Sequence, residues 1–194
     1  MHRLIVLTAG FFAFTACEGF PDLELVDEIP IVGQNSCAPP REIDVGCVLD
    51  GDTFDITGCG DPSERVRLLG LDAPEIASSG GSADCFGDEA GNELRRLIEG
   101  QTVTLTFDEE CEGVFFRTLA YVYLSPDDVD VNEDEVSDAE GSVLLNELLL
   151  ARGFARLIPA ERFGTLRLQA QLEAAQALAQ ANGLGLWGVC EPTQ

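Results

Sequence analysis

Between residues 43 and 124 the chain carries its apolar residues in short strand-like runs interrupted by one helical stretch, and beyond residue 142 it switches to helical spacing; this change of period restricts the fold more than any other feature. The runs 43–49, 53–57, 65–70, 102–107 and 119–124 are rich in β-branched and aromatic residues and predict five strands. Asp50-Gly51-Asp52 supplies a turn between the first two, which makes them a hairpin candidate, and Pro74 halts the third. Residues 88–98, with Ala90, Leu94, Leu97 and Ile98 on one side, predict a helix ended at Gly100. Residues 143–152 and 166–181 predict two more, ended at Gly153 and Gly183. Five strands with helices between and after them define an α+β chain, expected as a five-stranded OB-type Greek-key β-barrel with three helices.

The domain expected from this pattern spans residues 41–191, with an acidic insertion at 125–141. In that insertion Asp128, Asp130, Asn132 and Asp134 have the alternate spacing of a calcium loop, but the glycine and closing glutamate of an EF-hand are absent, so a solvated acidic loop is the favoured reading. Residues 1–16 read as a signal peptide: Arg3 precedes an apolar run too short to span a bilayer. Phe14-Thr15-Ala16-Cys17 resembles the lipobox of bacterial lipoproteins, which implies lipidation at Cys17, an acidic tether over 17–40, and an exported chain anchored to a membrane at the cell envelope.

Setting Cys17 aside leaves six cysteines, an even count that favours three disulfides in an exported chain. Sequence leaves about 15 pairings open; the preferred set is Cys47–Cys59 across the hairpin, Cys85–Cys111, and Cys37–Cys190 joining the ends.

Charge and missing residue types narrow the chemistry. The formal net charge is -24, and all 11 basic residues are arginine. A nucleic-acid binder normally displays a basic surface, so a phosphate-binding chain of this charge needs a locally positive site and a cation. The one histidine, His2, lies in the signal segment, which removes Ser-His and Cys-His catalysis, histidine-bound metals and lysine Schiff bases from the expected mature chain. Carboxylates, arginine clamps and hard oxygen-bound cations remain.

Three segments collect those groups: Asp50-Gly51-Asp52-Thr53, the run from Arg67 through Leu71-Asp72-Ala73-Pro74-Glu75, and Arg117-Thr118-Leu119-Ala120-Tyr121. Together with Phe86-Gly87-Asp88-Glu89-Ala90, Asn146-Glu147-Leu148-Leu149-Leu150-Ala151-Arg152-Gly153 and Gly183-Leu184-Gly185-Leu186-Trp187, they resemble in order and wording the staphylococcal nuclease (thermonuclease) family. The resemblance implies a calcium-dependent endonuclease that hydrolyses phosphodiester bonds of DNA and possibly RNA and leaves 3′-phosphates; the chain is expected to be a monomer. It implies Asp52, Asp72 and the Thr53 carbonyl as Ca2+ ligands, with Asp50 supporting them, Glu75 as general base, and Arg67 and Arg117 as the two clamps on the scissile phosphate. One departure is local: the family usually reads Tyr-Gly-Arg where this chain has Phe115-Phe116-Arg117. A non-catalytic, nuclease-like envelope module that binds protein, nucleic acid or calcium is the alternative, favoured by the acidity and by that altered turn.

Overall fold

The structure, a computed structural model, describes residues 36–59, 64–77, 81–125, 142–160 and 166–191. The signal segment, Cys17, the tether up to residue 35 and the acidic positions 128, 130, 132 and 134 lie outside the described residues. The strands are β1 (Arg41–Asp44), β2 (Cys47–Val48), β3 (Thr53–Asp55), β4 (Arg65–Leu68), β5 (Leu71–Asp72), β6 (Thr102–Thr106), β7 (Thr118–Leu124), β8 (Val143–Leu144) and β9 (Arg156–Leu157). The helices are α1 (Gly87–Ile98), α2 (Leu145–Ala151), α3 (Gln169–Asn182) and α4 (Leu186–Val189).

The main sheet runs β1-β6-β7-β4-β3-β2, with β8 on the end of β7, and β5 pairs β9 separately. Every named pairing is antiparallel except β4 with β7, whose parallel register sets Val66 against Thr118 and Arg67 against Leu119. The α+β organisation is thus present; among the described residues the strands form a seven-stranded sheet and a second sheet of two, and no hydrogen-bonded pairing joins β1 to β2, so the pairings do not close the expected five-stranded OB-type barrel. The additional strands are two residues long, too short for a period to show in the sequence. The 43–49 run also divides: β1 pairs β6 whereas β2 pairs β3. Gly46 stands at the division, where an added Cβ would meet the Gly58 nitrogen and the Ile56 carbonyl oxygen at 2.6 Å.

Ala90, Leu94, Leu97 and Ile98 bury the inner stripe of α1, and Leu145, Leu148, Leu149 and Leu150 bury most of α2. Asn146 is also fully buried, but its side chain is satisfied: Oδ1 accepts the Val122 N–H at 2.9 Å and Nδ2 donates to the Leu69 carbonyl at 3.0 Å. It therefore ties α2 to β7 and to the turn between β4 and β5.

Three disulfides join Cys37 to Cys111, Cys47 to Cys59 and Cys85 to Cys190. The expected Cys85–Cys111 and Cys37–Cys190 pairs are corrected by the fold. The chain before β1 runs beside the end of β6, where the Cys37 N–H donates to the Asp108 carbonyl at 2.8 Å, and this brings Cys37 to Cys111. At the other end α4 docks on the turn after α2 through the Leu186 N–H and Gly153 carbonyl at 2.9 Å. Phe154, next in that turn, packs its ring on Phe86 at 5.4 Å, and Cys85 stands beside Phe86.

Candidate active site

The β2–β3 turn is folded by its own side chains. Asp50 accepts the Asp52 N–H on Oδ1 at 3.0 Å, and Gly51 lets the turn press against the β5 loop and α1, since a Cβ there would come within 2.6 Å of the Ala73 Cβ and 2.8 Å of the Ala90 Cβ. The Thr53 carbonyl accepts the N–H groups of Leu49 and Asp50 at 2.9 and 3.4 Å. That oxygen is committed to the turn, so carboxylates rather than the expected Thr53 carbonyl are the available cation donors.

Asp52 is only 2% exposed. Its Oδ2 accepts the Ala73 N–H at 2.8 Å, while Oδ1 accepts the Thr53 hydroxyl at 2.8 Å and Arg67 Nη1 at 2.7 Å. The pairing of β3 with β4 sets Thr53 opposite Arg67, which is why the arginine reaches the preceding aspartate. Arg67 Nη2 donates onward to the Leu71 carbonyl at 3.2 Å and to Asp72 Oδ1 at 3.1 Å. One guanidinium thus bridges a buried and an exposed carboxylate. Arg65, on the same face of β4, instead makes a two-point contact with Asp55 at 2.8 and 3.1 Å.

Burial, and next the negative charge of Asp50, push the Asp52 carboxyl up to about 7, against the opposing pull of Arg67, the Ala73 N–H and the Thr53 hydroxyl.

Glu75 follows Asp72 by three residues and is exposed, with its main chain fixed by Asp84: the Asp84 N–H donates to the Glu75 carbonyl at 2.9 Å and the Glu75 N–H to Asp84 Oδ2 at 3.3 Å. Gly87 at the start of α1 makes room for that carbonyl, which would lie 2.1 Å from an added Cβ. Arg117 is placed differently. Its Nε donates to the Val114 carbonyl at 3.3 Å and its guanidinium carbon lies 5.6 Å from the Phe115 ring centre, so it engages its own turn rather than the Asp52–Arg67 cluster. Sequence reading gave no role to Asp84, which fixes the Glu75 main chain, or to Ala73, whose N–H holds Asp52; Ala73 is marked only by its place between Asp72 and Pro74, and Asp84, nine residues beyond Glu75, carries no local signal.

A family model described as "Staphylococcal nuclease homologue" matches residues 65–189, more than half of the chain. The chain belongs to the staphylococcal nuclease family. Similar proteins include the thermonuclease of Staphylococcus intermedius, 33% identical over 143 residues and covering 72% of each chain. The thermonuclease of Staphylococcus hyicus is 29% identical over 141 residues, again 72% of each. An uncharacterized endonuclease of Haemophilus influenzae is 26% identical over 147 residues, 76% of this chain and 66% of that protein.

For a staphylococcal nuclease homologue the donor set fits a hard divalent cation by its chemistry: the side chains of Asp50, Asp52 and Asp72 offer only oxygen, and Asp52 is buried beside Asp50. Among the described residues no three acidic, histidine or cysteine side chains form a ready metal cage. Arg67 stands between Asp52 and Asp72 in this arrangement.

Proposed function

We propose that the chain is an exported, calcium-dependent endonuclease that hydrolyses phosphodiester bonds of DNA and RNA, acting as a monomer. The observation that carries this reading is the Arg67 bridge between Asp52 and Asp72, which gathers a guanidinium able to grip phosphate and two oxygen donors where β4, the start of β3 and β5 meet. Asp52 and Asp72 would hold Ca2+, with Asp50 orienting Asp52 through its main chain. When bound, the ion supplies Lewis-acid stabilisation of the charge that develops on the phosphate.

The chain's own residues do the rest. Arg67 donates a fork of N–H groups to the equatorial phosphate oxygens, and Arg117, turning from its Val114 contact, adds a second. Glu75 accepts a proton from the attacking water; the water oxygen bonds to phosphorus, the bond to the 5′ oxygen breaks, and that oxygen takes a proton from solvent, leaving a 3′-phosphate. A substrate groove open on one side would accept unstacked bases, which favours single strands.

Export is supported by the three disulfides, which persist in oxidising compartments. Among the described residues no helix is long and apolar enough to cross a membrane; attachment through a lipid on Cys17 completes the reading.

A second reading, a nuclease-like module that binds without cleaving, is favoured by Arg117 engaging its own turn. A fluorescent single-stranded DNA assay run with calcium and with EDTA separates the two. Cleavage in calcium alone supports the enzyme, and binding without cleavage supports the module.

A further inference from the structure

We propose that Arg156 is an additional substrate-binding residue, holding the phosphate next to the scissile one along the nucleic-acid strand; this rests on the nuclease reading above.

The pairing of β5 with β9 sets Arg156 directly opposite Asp72. The Cα atoms of such partners lie about 4.5 to 5.5 Å apart and their side chains share one face of the sheet. Asp72 is the exposed carboxylate of the site, 61% accessible, and it pairs with Arg67. Its cross-strand neighbour does not compete for it: the Arg156 guanidinium lies over the Trp187 ring, 5.3 Å from the centre.

That placement is uncommon within this acidic chain. Among the described residues Arg41, Arg65, Arg67, Arg95, Arg96 and Arg152 are paired with carboxylates. Arg117, Arg156 and Arg167 lie on aromatic rings instead. A ring face orients a guanidinium and leaves its N–H edge available, so the cation is held in place without being neutralised. Arg167 stacks on Tyr121, whose hydroxyl donates to Asp108, and so lies beside a carboxylate; Arg156 alone of the three stands across from a residue of the Asp52–Arg67 cluster. A nucleic-acid strand whose scissile phosphate meets Arg67 carries its next phosphate within one nucleotide of it, and a chain of net charge -24 needs fixed positive groups where those phosphates pass.

Two substrates test the assignment: a dinucleotide with one phosphodiester, and a single-stranded oligonucleotide. Arg156→Ala is expected to raise KM for the oligonucleotide with little change in kcat, and to leave dinucleotide cleavage at the wild-type rate. Each phosphate contact on a single strand contributes about -0.7 to the slope of log affinity against log salt, so a fourfold rise in salt should cost the wild type about 2.6-fold more in kcat/KM than the variant. Arg156→Lys, which keeps the charge, should restore the wild-type slope. An unchanged salt slope in Arg156→Ala, or equal losses on both substrates, overturns the assignment. Wild-type protein that cleaves neither substrate in calcium would instead refute the nuclease reading itself.

Discussion

Arg67 on β4 reaches Asp52, the residue that precedes β3, with Nη1 2.7 Å from Oδ1, and the same guanidinium reaches Asp72 at 3.1 Å. The arginine spans both proposed cation ligands, so charge on the three side chains is coupled. Filling the site with a divalent cation would offset the mutual repulsion of Asp50 and Asp52 and free the edges of Arg67 for phosphate.

Arg67→Ala and Glu75→Gln should each lower kcat by about 100- to 1000-fold, the range for loss of one preorganised transition-state group. Glu75→Gln should leave thermal stability unchanged, because its carboxylate is exposed and its fixed contacts are made by the main chain. Steady-state cleavage rates beside melting curves check both.

Phe115 and Phe116 adopt left-handed backbone angles, φ 62° and 57°, while 85% and 86% exposed. Such conformations in non-glycine residues cost on the order of 1 to 3 kcal/mol, and the exposed rings return little of it through packing. Phe116→Gly is therefore expected to stabilise the protein by about 1 kcal/mol after the entropy cost of glycine is deducted, read by urea denaturation.

Glu93 on α1 accepts from Arg96 at 2.8 Å and from Arg152, beyond α2, at 3.0 Å. Partial burial pushes its carboxyl up, but the two arginines outweigh that and hold it below the ordinary 4.5. A carboxylate with a depressed folded-state pKa stabilises above its unfolded value and loses that contribution as pH falls through the folded one. Glu93→Gln should thus cost about 1 to 3 kcal/mol at neutral pH, with the difference from wild type vanishing on acidification below the ordinary carboxylate range, as measured by chemical denaturation across pH.

Removing the Cys85–Cys190 bridge by a double serine substitution should cost about 2 to 5 kcal/mol, since it closes a loop with a sequence separation of 105. Differential scanning calorimetry should show the loss, and added reductant should bring the wild type toward the variant.

Much of this arrangement was legible in the sequence because it is local. The turn at Asp50-Gly51-Asp52 and the helical stripe of Ala90, Leu94, Leu97 and Ile98 are short-range patterns, and they stand where the spacing puts them. Arg67 could be singled out from Arg65 only through the family motif, and the structure sends the two to Asp52 and Asp55. What stayed hidden depends on pairing across long separations. The partners of Cys37 and Cys85 follow from β1 lying on β6 and from α4 docking on Gly153, neither of which has a local signature. Thr53 illustrates a different limit: its side-chain type is visible, but the direction of its carbonyl is set by hydrogen bonds from Leu49 and Asp50. Arg156 meets Asp72 only through two-residue strands whose pattern cannot be read as β.

The most direct measurement is the rate of single-stranded DNA cleavage as a function of free calcium, for the wild type and for Asp52→Asn. The wild type should show saturable activation that EDTA abolishes, and the variant should need far more calcium or stay inactive at every concentration. Cleavage that persists in EDTA, or a variant with the wild-type calcium response, would contradict a cation held at Asp52 as the basis of the activity.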